Sequence, residues 1–195
     1  MIAIIDYKGG NLSSVENALK RLGADYVVTA FPEAIQKASH VILPGVGEAS
    51  NAMRSLQPLA GVIKGLTQPV LGICIGLQLM CTHSEEGDTD CMNIFDSQVL
   101  RFKPSKGVKI PHMGWNTITD LKGPLFSGIE EGSYVYYVHS YYPEYSEAEG
   151  IAKTEYDGVA FSAALCKGNF YGTQFHPEKS GQVGAKILEN FLRIC

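Results

Sequence analysis

Three side chains in this sequence have the chemistry to carry an acyl group through a thioester: Cys74, His176 and Glu178. Cys74 lies in Leu71-Gly72-Ile73-Cys74-Ile75-Gly76-Leu77-Gln78. The residues before it read as a short buried strand, and Ile75 to Thr82 reads as the start of a helix. A residue caught between two such elements occupies a strained turn and projects at the carboxyl edge of the sheet. Gly72 and Gly76 have no Cβ, so the backbone can bend there and the helix can pack close. A helix N-terminus favours thiolate over thiol, and the N–H of Ile75 is a natural donor to an oxyanion. Much later comes Gln174-Phe175-His176-Pro177-Glu178, read as part of a late strand. Residues i and i+2 of an extended segment share a face, so His176 and Glu178 can address one site. The imidazole would act as base, and the carboxylate would set its tautomer. Taken singly, Cys74 also reads as a buried structural thiol and His-Pro-Glu as a surface turn. Together they favour an enzyme over a binding module. With no CxxC or HxxxH spacing, no metal is expected.

The elements needed to position these groups are visible as an alternation in the first half of the chain. Ile2 to Asp6 reads as a strand and Lys8-Gly9-Gly10-Asn11 as a tight loop. Ser13 to Leu22 reads as a helix with a capping box at Ser13-Ser14-Val15-Glu16 and Gly23 at its end. A strand follows at Tyr26 to Thr29, a short helix at Pro32 to Ala38 and a strand at His40 to Leu43. After Pro44-Gly45-Val46-Gly47 a helix carries Met53, Leu56, Leu59 and Ile63 toward the Cys74 turn. The second half is strand-rich: Gln98 to Phe102, Trp115 to Thr119, Tyr134 to Tyr141, Ile151 to Tyr156, Val159 to Leu165 and Phe170 to Phe175. A last helix spans about Gln182 to Arg193. The pattern predicts one domain over residues 1–195 of the α/β class. It would be a flavodoxin-like, doubly wound, mostly parallel sheet with an antiparallel extension and its chemistry at the strands' carboxyl ends.

Bulk properties bound the function. The chain has 195 residues, 45% of them hydrophobic, and a net charge of −4. That is a globular composition without the basic footprint of a nucleic-acid binder or an apolar run fit to span a bilayer. The opening Met1-Ile2-Ala3-Ile4-Ile5-Asp6 reads as a strand, not a signal peptide. Five irregularly spaced cysteines argue against a disulfide framework and for a reducing, cytoplasmic setting.

The motifs Pro44-Gly45-Val46-Gly47, Gly72-Ile73-Cys74-Ile75-Gly76-Leu77-Gln78 and His176-Pro177-Glu178 together resemble the class I, triad-type glutamine amidotransferases. Within that family, further segments are most similar to the glutaminase subunits of imidazole glycerol phosphate synthase. These are Ile5-Asp6-Tyr7-Lys8-Gly9-Gly10-Asn11, Pro111-His112-Met113-Gly114-Trp115-Asn116 and Val138-His139-Ser140-Tyr141-Tyr142. The resemblance implies hydrolysis of glutamine to glutamate and ammonia. It also implies transfer of ammonia to a cyclase subunit, a (β/α)8 barrel, in histidine biosynthesis, with no cofactor. It assigns Cys74 as nucleophile, His176 as base and Glu178 as its partner, and an oxyanion hole formed by Ile75 and the Val46–Gly47 loop. Gln78, Glu86, Ser140 and Tyr141 would touch substrate. Asn11, Met113, Trp115 and Lys179 would face the partner subunit, with His112 a further interface candidate. Read from the residues alone, Glu86 fits a solvated acidic loop as well, and Trp115 fits a core. A synthase for sugar amidation, anthranilate, guanylate or pyridoxal phosphate, or a catalytically silent regulatory homologue, are the alternatives.

Overall fold

The computed structural model describes residues 1–8, 12–45, 47–103 and 109–195. The elements run β1 (Ile2–Ile5), α1 (Leu12–Arg21), β2 (Tyr26–Thr29), α2 (Pro32–Lys37), β3 (His40–Leu43), α3 (Ala49–Lys64) and β4 (Val70–Ile73). A one-turn α4 (Ile75–Gln78) follows, then β5 (His83–Ser84), β6 (Thr89–Asp90) and β7 (Gln98–Arg101). The remainder is β8 (His112–Ile118), β9 (Ser133–His139), β10 (Tyr141–Pro143), β11 (Gly150–Tyr156), β12 (Val159–Lys167), β13 (Phe170–Thr173) and α5 (Gly181–Leu192).

Seven strands form the central sheet in the order β11-β12-β13-β4-β3-β1-β2. The five from β13 to β2 are parallel, while β12 and β11 add on antiparallel. This is the α/β sheet with antiparallel extension that the alternation predicts. Its central strands are apolar because both faces are covered: every residue of β1, β4 and β13 is buried. The helices present apolar stripes to this core, Leu56, Leu59 and Ile63 from α3 and Ile187, Leu188 and Phe191 from α5. A smaller sheet, β10-β7-β5-β6, and the β8–β9 hairpin complete the molecule.

Several local expectations are corrected. Ser13 and Ser14 lie inside α1, which begins by Leu12, so the capping box does not start that helix. The helix after Cys74 stops at Gln78, because the chain turns at Leu79–Thr82 and enters β5. The two-residue strands β5 and β6 carry no periodic signal and are absent from the sequence reading. The strand expected over Tyr134–Tyr141 breaks at Ser140 into β9 and β10, which join different sheets. β13 ends at Thr173, and Pro177–Lys179 forms a turn of 3-10 helix rather than strand.

Candidate active site

β4 and β13 are neighbouring parallel strands with Ile73 opposite Thr173. Two segments distant in sequence therefore leave the sheet side by side at its carboxyl edge. The Cys74 N–H donates to the Thr173 carbonyl at 2.7 Å. Immediately beyond β4, Cys74 adopts φ 53° and ψ −107°. A non-glycine residue in this sparsely allowed region stores roughly 1–3 kcal/mol of strain, and the surrounding contacts must hold it. Those contacts need two glycines. A Cβ on Gly76 would collide with the Leu43 carbonyl, and a Cβ on Gly45 would sit 2.6 Å from the Ile75 Cβ. The turn after β4 is thus pressed against the turn after β3.

His176 is clamped through its backbone to β9. Its N–H donates to the Tyr136 carbonyl at 2.9 Å, and its carbonyl accepts from the Ser180 hydroxyl at 2.6 Å. The same hydroxyl accepts the Tyr136 N–H at 2.9 Å. His176 Nδ1 lies 2.8 Å from Glu178 Oε1, with both side chains almost fully buried. Nε2 is buried without a partner of good hydrogen-bond geometry. Burial would by itself lower the His176 pKa. The negative charge available at the Cys74 sulfur, reinforced by Glu178, outweighs burial and pushes it up to about 10. The arrangement is sulfur, imidazole, carboxylate.

Cys74 and His176 open onto a cavity of about 330 Å³, at the small end of clefts that hold small molecules. Cys74, Ile75, His176 and Gly47 lie along its wall. Gly47 takes φ 109°, a conformation that a side chain would strain. Gln78, Glu86 and the Val138–Tyr141 segment line the cavity as well. Gln78 is buried, donating from Nε2 to the Tyr141 carbonyl and to Gln174 Oε1, both at 2.9 Å. Its Oε1 is buried without a partner. Glu86 Oε2 accepts the Ala49 N–H at 2.8 Å, at the start of α3. Burial raises its pKa, the Ala49 N–H opposes that, and Glu48 adds to it. Tyr7 is held nearby, donating from its hydroxyl to the Pro44 carbonyl at 2.8 Å. Burial raises its pKa, as does the charge of Cys74. Among the described residues, no group of three or more His, Cys, Asp or Glu is placed to hold a metal ion.

The model of the family "Glutamine amidotransferase class-I" matches residues 3–195. The chain belongs to that family. It is 54% identical to "Imidazole glycerol phosphate synthase subunit HisH" of Bacteroides fragilis, over 99% of both chains. It is 48% identical to the protein of the same name from Methanosarcina acetivorans, over 100% of this chain and 98% of that one. Among solved structures, PurLQS from Thermotoga maritima superposes with a TM-score of 0.76 at 19% identity, covering 98% of this chain and 96% of that one. The glutaminase domain of Trypanosoma brucei CTPS with bound acivicin gives 0.67 at 13%, covering 100% and 94%. Both are likenesses of fold. No helix among the described residues is long and apolar enough to cross a membrane.

The class I fold brings most of the expected residues together. Cys74, His176, Ile75, Gly47, Gln78, Glu86, Ser140 and Tyr141 all line one cavity. Glu178 sits behind His176 and lines a different hollow, between α1 and α5. It meets the imidazole through a 3-10 turn, not through the pleat of a strand as i, i+2 geometry suggested. Because α4 has a single turn, few peptide dipoles align behind Cys74, and strain and charge partners matter more there than a macrodipole. Glu86 is half-buried in the cavity wall while its neighbour Glu85 is exposed. Met113 and Trp115 are exposed at 62% and 55%, so Trp115 is not core, and Lys179 is exposed as well. His112 is buried, which removes it from any interface. Asn11 and Val46 lie outside the described residues.

The sequence reading missed Gln174, which is fully buried with Nε2 3.6 Å from Cys74 Sγ. Its signal was its place two residues before His176: the base and Gln174 leave β13 together. It also missed the pairing of His112 Nδ1 with His139 Nε2 at 2.9 Å. Burial lowers these two histidines, to about 4 and about 3, and His112 adds to the lowering at His139.

Proposed function

We propose that this chain is the glutaminase subunit of an imidazole glycerol phosphate synthase, acting as one amidotransferase domain over residues 1–195 in the cytoplasm. Near 50% identity to subunits of that name over nearly the whole length supports the assignment. The observation that carries the chemistry is the buried Cys74–His176–Glu178 array opening onto an amino-acid-sized cavity. Cys74, its proton taken by His176, attacks the side-chain amide carbon of glutamine. The tetrahedral oxyanion is received by the N–H of Ile75 and a second N–H from the Val46–Gly47 loop. As the C–N bond breaks, His176 returns the proton to the leaving ammonia. Water then hydrolyses the γ-glutamyl thioester, with His176 again as base, and Glu178 keeps Nδ1 protonated throughout.

Gln78, with a buried carbonyl oxygen awaiting a donor, together with Glu86, Ser140 and Tyr141 supplies the contacts to glutamine. Glu86 suits the α-ammonium group. The partner is a cyclase subunit of (β/α)8-barrel fold that consumes the ammonia. It would dock on the face where Met113, Trp115 and Tyr134 expose apolar surface on one hairpin, and the family resemblance adds Lys179 and Asn11 as candidate contacts. The test is reconstitution with a cyclase subunit from a close relative, following glutamate release from glutamine. Weak release by the chain alone and strong release in the complex are expected. No glutamate in either state would overturn the reading. Glutamate formed only with a synthase of another pathway would replace the partner.

A further inference from the structure

Hydrogen bonds connect the β8–β9 hairpin to the reacting sulfur through the Tyr141 carbonyl, on which donors from both sides converge, and their directions follow from that acceptor. The Tyr141 carbonyl can only accept. His139 Nδ1, 2.7 Å from it, therefore carries a proton. In the neutral ring His139 Nε2 must then accept, so His112 Nδ1 donates at 2.9 Å. His112 Nε2 in turn accepts from Asn116 Nδ2 at 3.3 Å. The same Tyr141 carbonyl fixes Gln78, whose amide nitrogen faces it at 2.9 Å and spends its other proton on Gln174 Oε1 at 2.9 Å. Gln174 is thereby oriented with its carbonyl toward Gln78 and its NH2 toward Cys74, 3.6 Å from Sγ. Turning this amide over would oppose two NH2 groups at one end and set a carbonyl oxygen against the sulfur at the other. Its backbone is pinned as well, by an N–H bond to the Ala163 carbonyl at 2.8 Å.

We infer that Gln174 is a further catalytic residue: its Nε2–H donates to the Cys74 sulfur and holds the thiolate while His176 carries the proton. Gln78 and the His112–His139 pair are positioning residues for that donor. The inference rests on Cys74 being the nucleophile of the proposed glutaminase. As a thiol the sulfur has a long contact, 4.0 Å, to the Val138 carbonyl and faces the His176 imidazole. Once the proton moves to His176, the sulfur becomes an acceptor, and among the described residues the side-chain amide N–H in contact with it belongs to Gln174. A hydrogen bond to a charged group changes an equilibrium by about 10- to 100-fold.

The test uses iodoacetamide alkylation of Cys74 against pH, with glutamine turnover in the reconstituted complex measured in parallel. Gln174→Glu keeps the acceptor for Gln78 but puts an oxygen where the donor was; Gln174→Met removes the donor without adding charge. Both should slow alkylation at pH 7 by about 10- to 100-fold, displace the profile to higher pH and lower kcat more than they raise KM. An unchanged alkylation profile in either folded variant overturns the role. Should neither variant fold, the parent chain with 15N-labelled glutamine side chains decides. The Gln174 amide protons must shift over the pH range in which Cys74 becomes reactive, and protons indifferent to that change overturn the role equally. Alkylation separates this inference from the glutaminase reading: a parent complex that makes no glutamate sinks the latter without touching the profile.

Discussion

Two strand pairs meet at the cavity, and they bury their side chains by opposite rules. β4 and β13 are parallel neighbours buried at every position, so nothing about them faces outward. β8 and β9 are antiparallel and two-faced. Trp115 lies opposite Tyr136 and Met113 opposite Val138 on the exposed side. His112 lies opposite His139 on the buried side. The fully buried pair can only position atoms, and both Cys74 and His176, the proposed nucleophile and base, leave from its carboxyl edge. The hairpin can both position and report. The end of β9 and the residues after it, Val138 to Tyr141, line the cavity, and the hairpin's outer face exposes Met113, Trp115 and Tyr134, the surface proposed for a partner.

The sharpest way to break this division is Cys74→Ala. Glutamine-dependent turnover should fall by at least about 1,000-fold, as for other triad nucleophiles, while ammonia-dependent synthesis and complex formation persist. Loss of the complex would mean that the buried pair also serves the interface. Glu178→Gln comes next. The amide can present an oxygen or an NH2 to Nδ1 but cannot stabilise an imidazolium, so kcat should drop by about 100- to 10,000-fold with folding intact. A loss confined to KM would remove Glu178 from the proton path. On the hairpin, Trp115→Ala should weaken binding of the cyclase subunit by about 30-fold, equivalent to ~2 kcal/mol, if it anchors the interface. The stability of the isolated chain should change by less than about 0.5 kcal/mol, because the ring is exposed. Titration calorimetry and thermal melting measure the two, and a destabilised monomer with unchanged affinity would reverse the assignment.

What the residues alone reveal follows the same division. Strands buried on both faces announce themselves as apolar runs, so β1, β3, β4 and β13 were readable nearly to the residue, and with them the turn that holds Cys74. The glycines flanking that turn carried their meaning too, since Gly76 is irreplaceable against the Leu43 carbonyl. Two-residue strands such as β5 and β6 have no period to detect, and a helix of one turn looks like the start of a longer one. Polar groups satisfied across long sequence separations were silent. Gln174 reads as an ordinary strand residue until β4 is placed beside β13, and His112 finds His139 only through hairpin register. Exposure of Trp115 was equally undecidable, because an aromatic on an alternating strand suits either face.

A pH dependence also separates the two regions. The folded chain lowers His112 and His139 from 6.5 to about 4 and about 3, and raises His176 from 6.5 to about 10. For the hairpin pair, the unfolded chain takes up protons below about pH 6.5 while the folded chain resists. Their contribution is complete above that pH and is lost as pH falls toward 4 and 3. For His176 the unfolded chain releases its proton above about pH 6.5 while the folded chain retains it. Its contribution is complete below that pH and is lost as pH rises through about 10. The free energy of unfolding, measured by denaturant titration, should therefore have an acid limb of up to about two protons from the hairpin and a basic limb of less than about one proton from the Cys74–His176 array, because the proton held by His176 is offset by the one missing from the Cys74 sulfur. Cys74→Ala removes the charge that raises His176, so it should flatten the basic limb; because charge on His176 also helps to lower His139, the acid limb should move only slightly. His112→Asn should roughly halve the acid limb and leave the basic one. If Cys74→Ala left the basic limb intact, or His112→Asn left the acid limb intact, the division between a positioning pair and a reporting hairpin would fail.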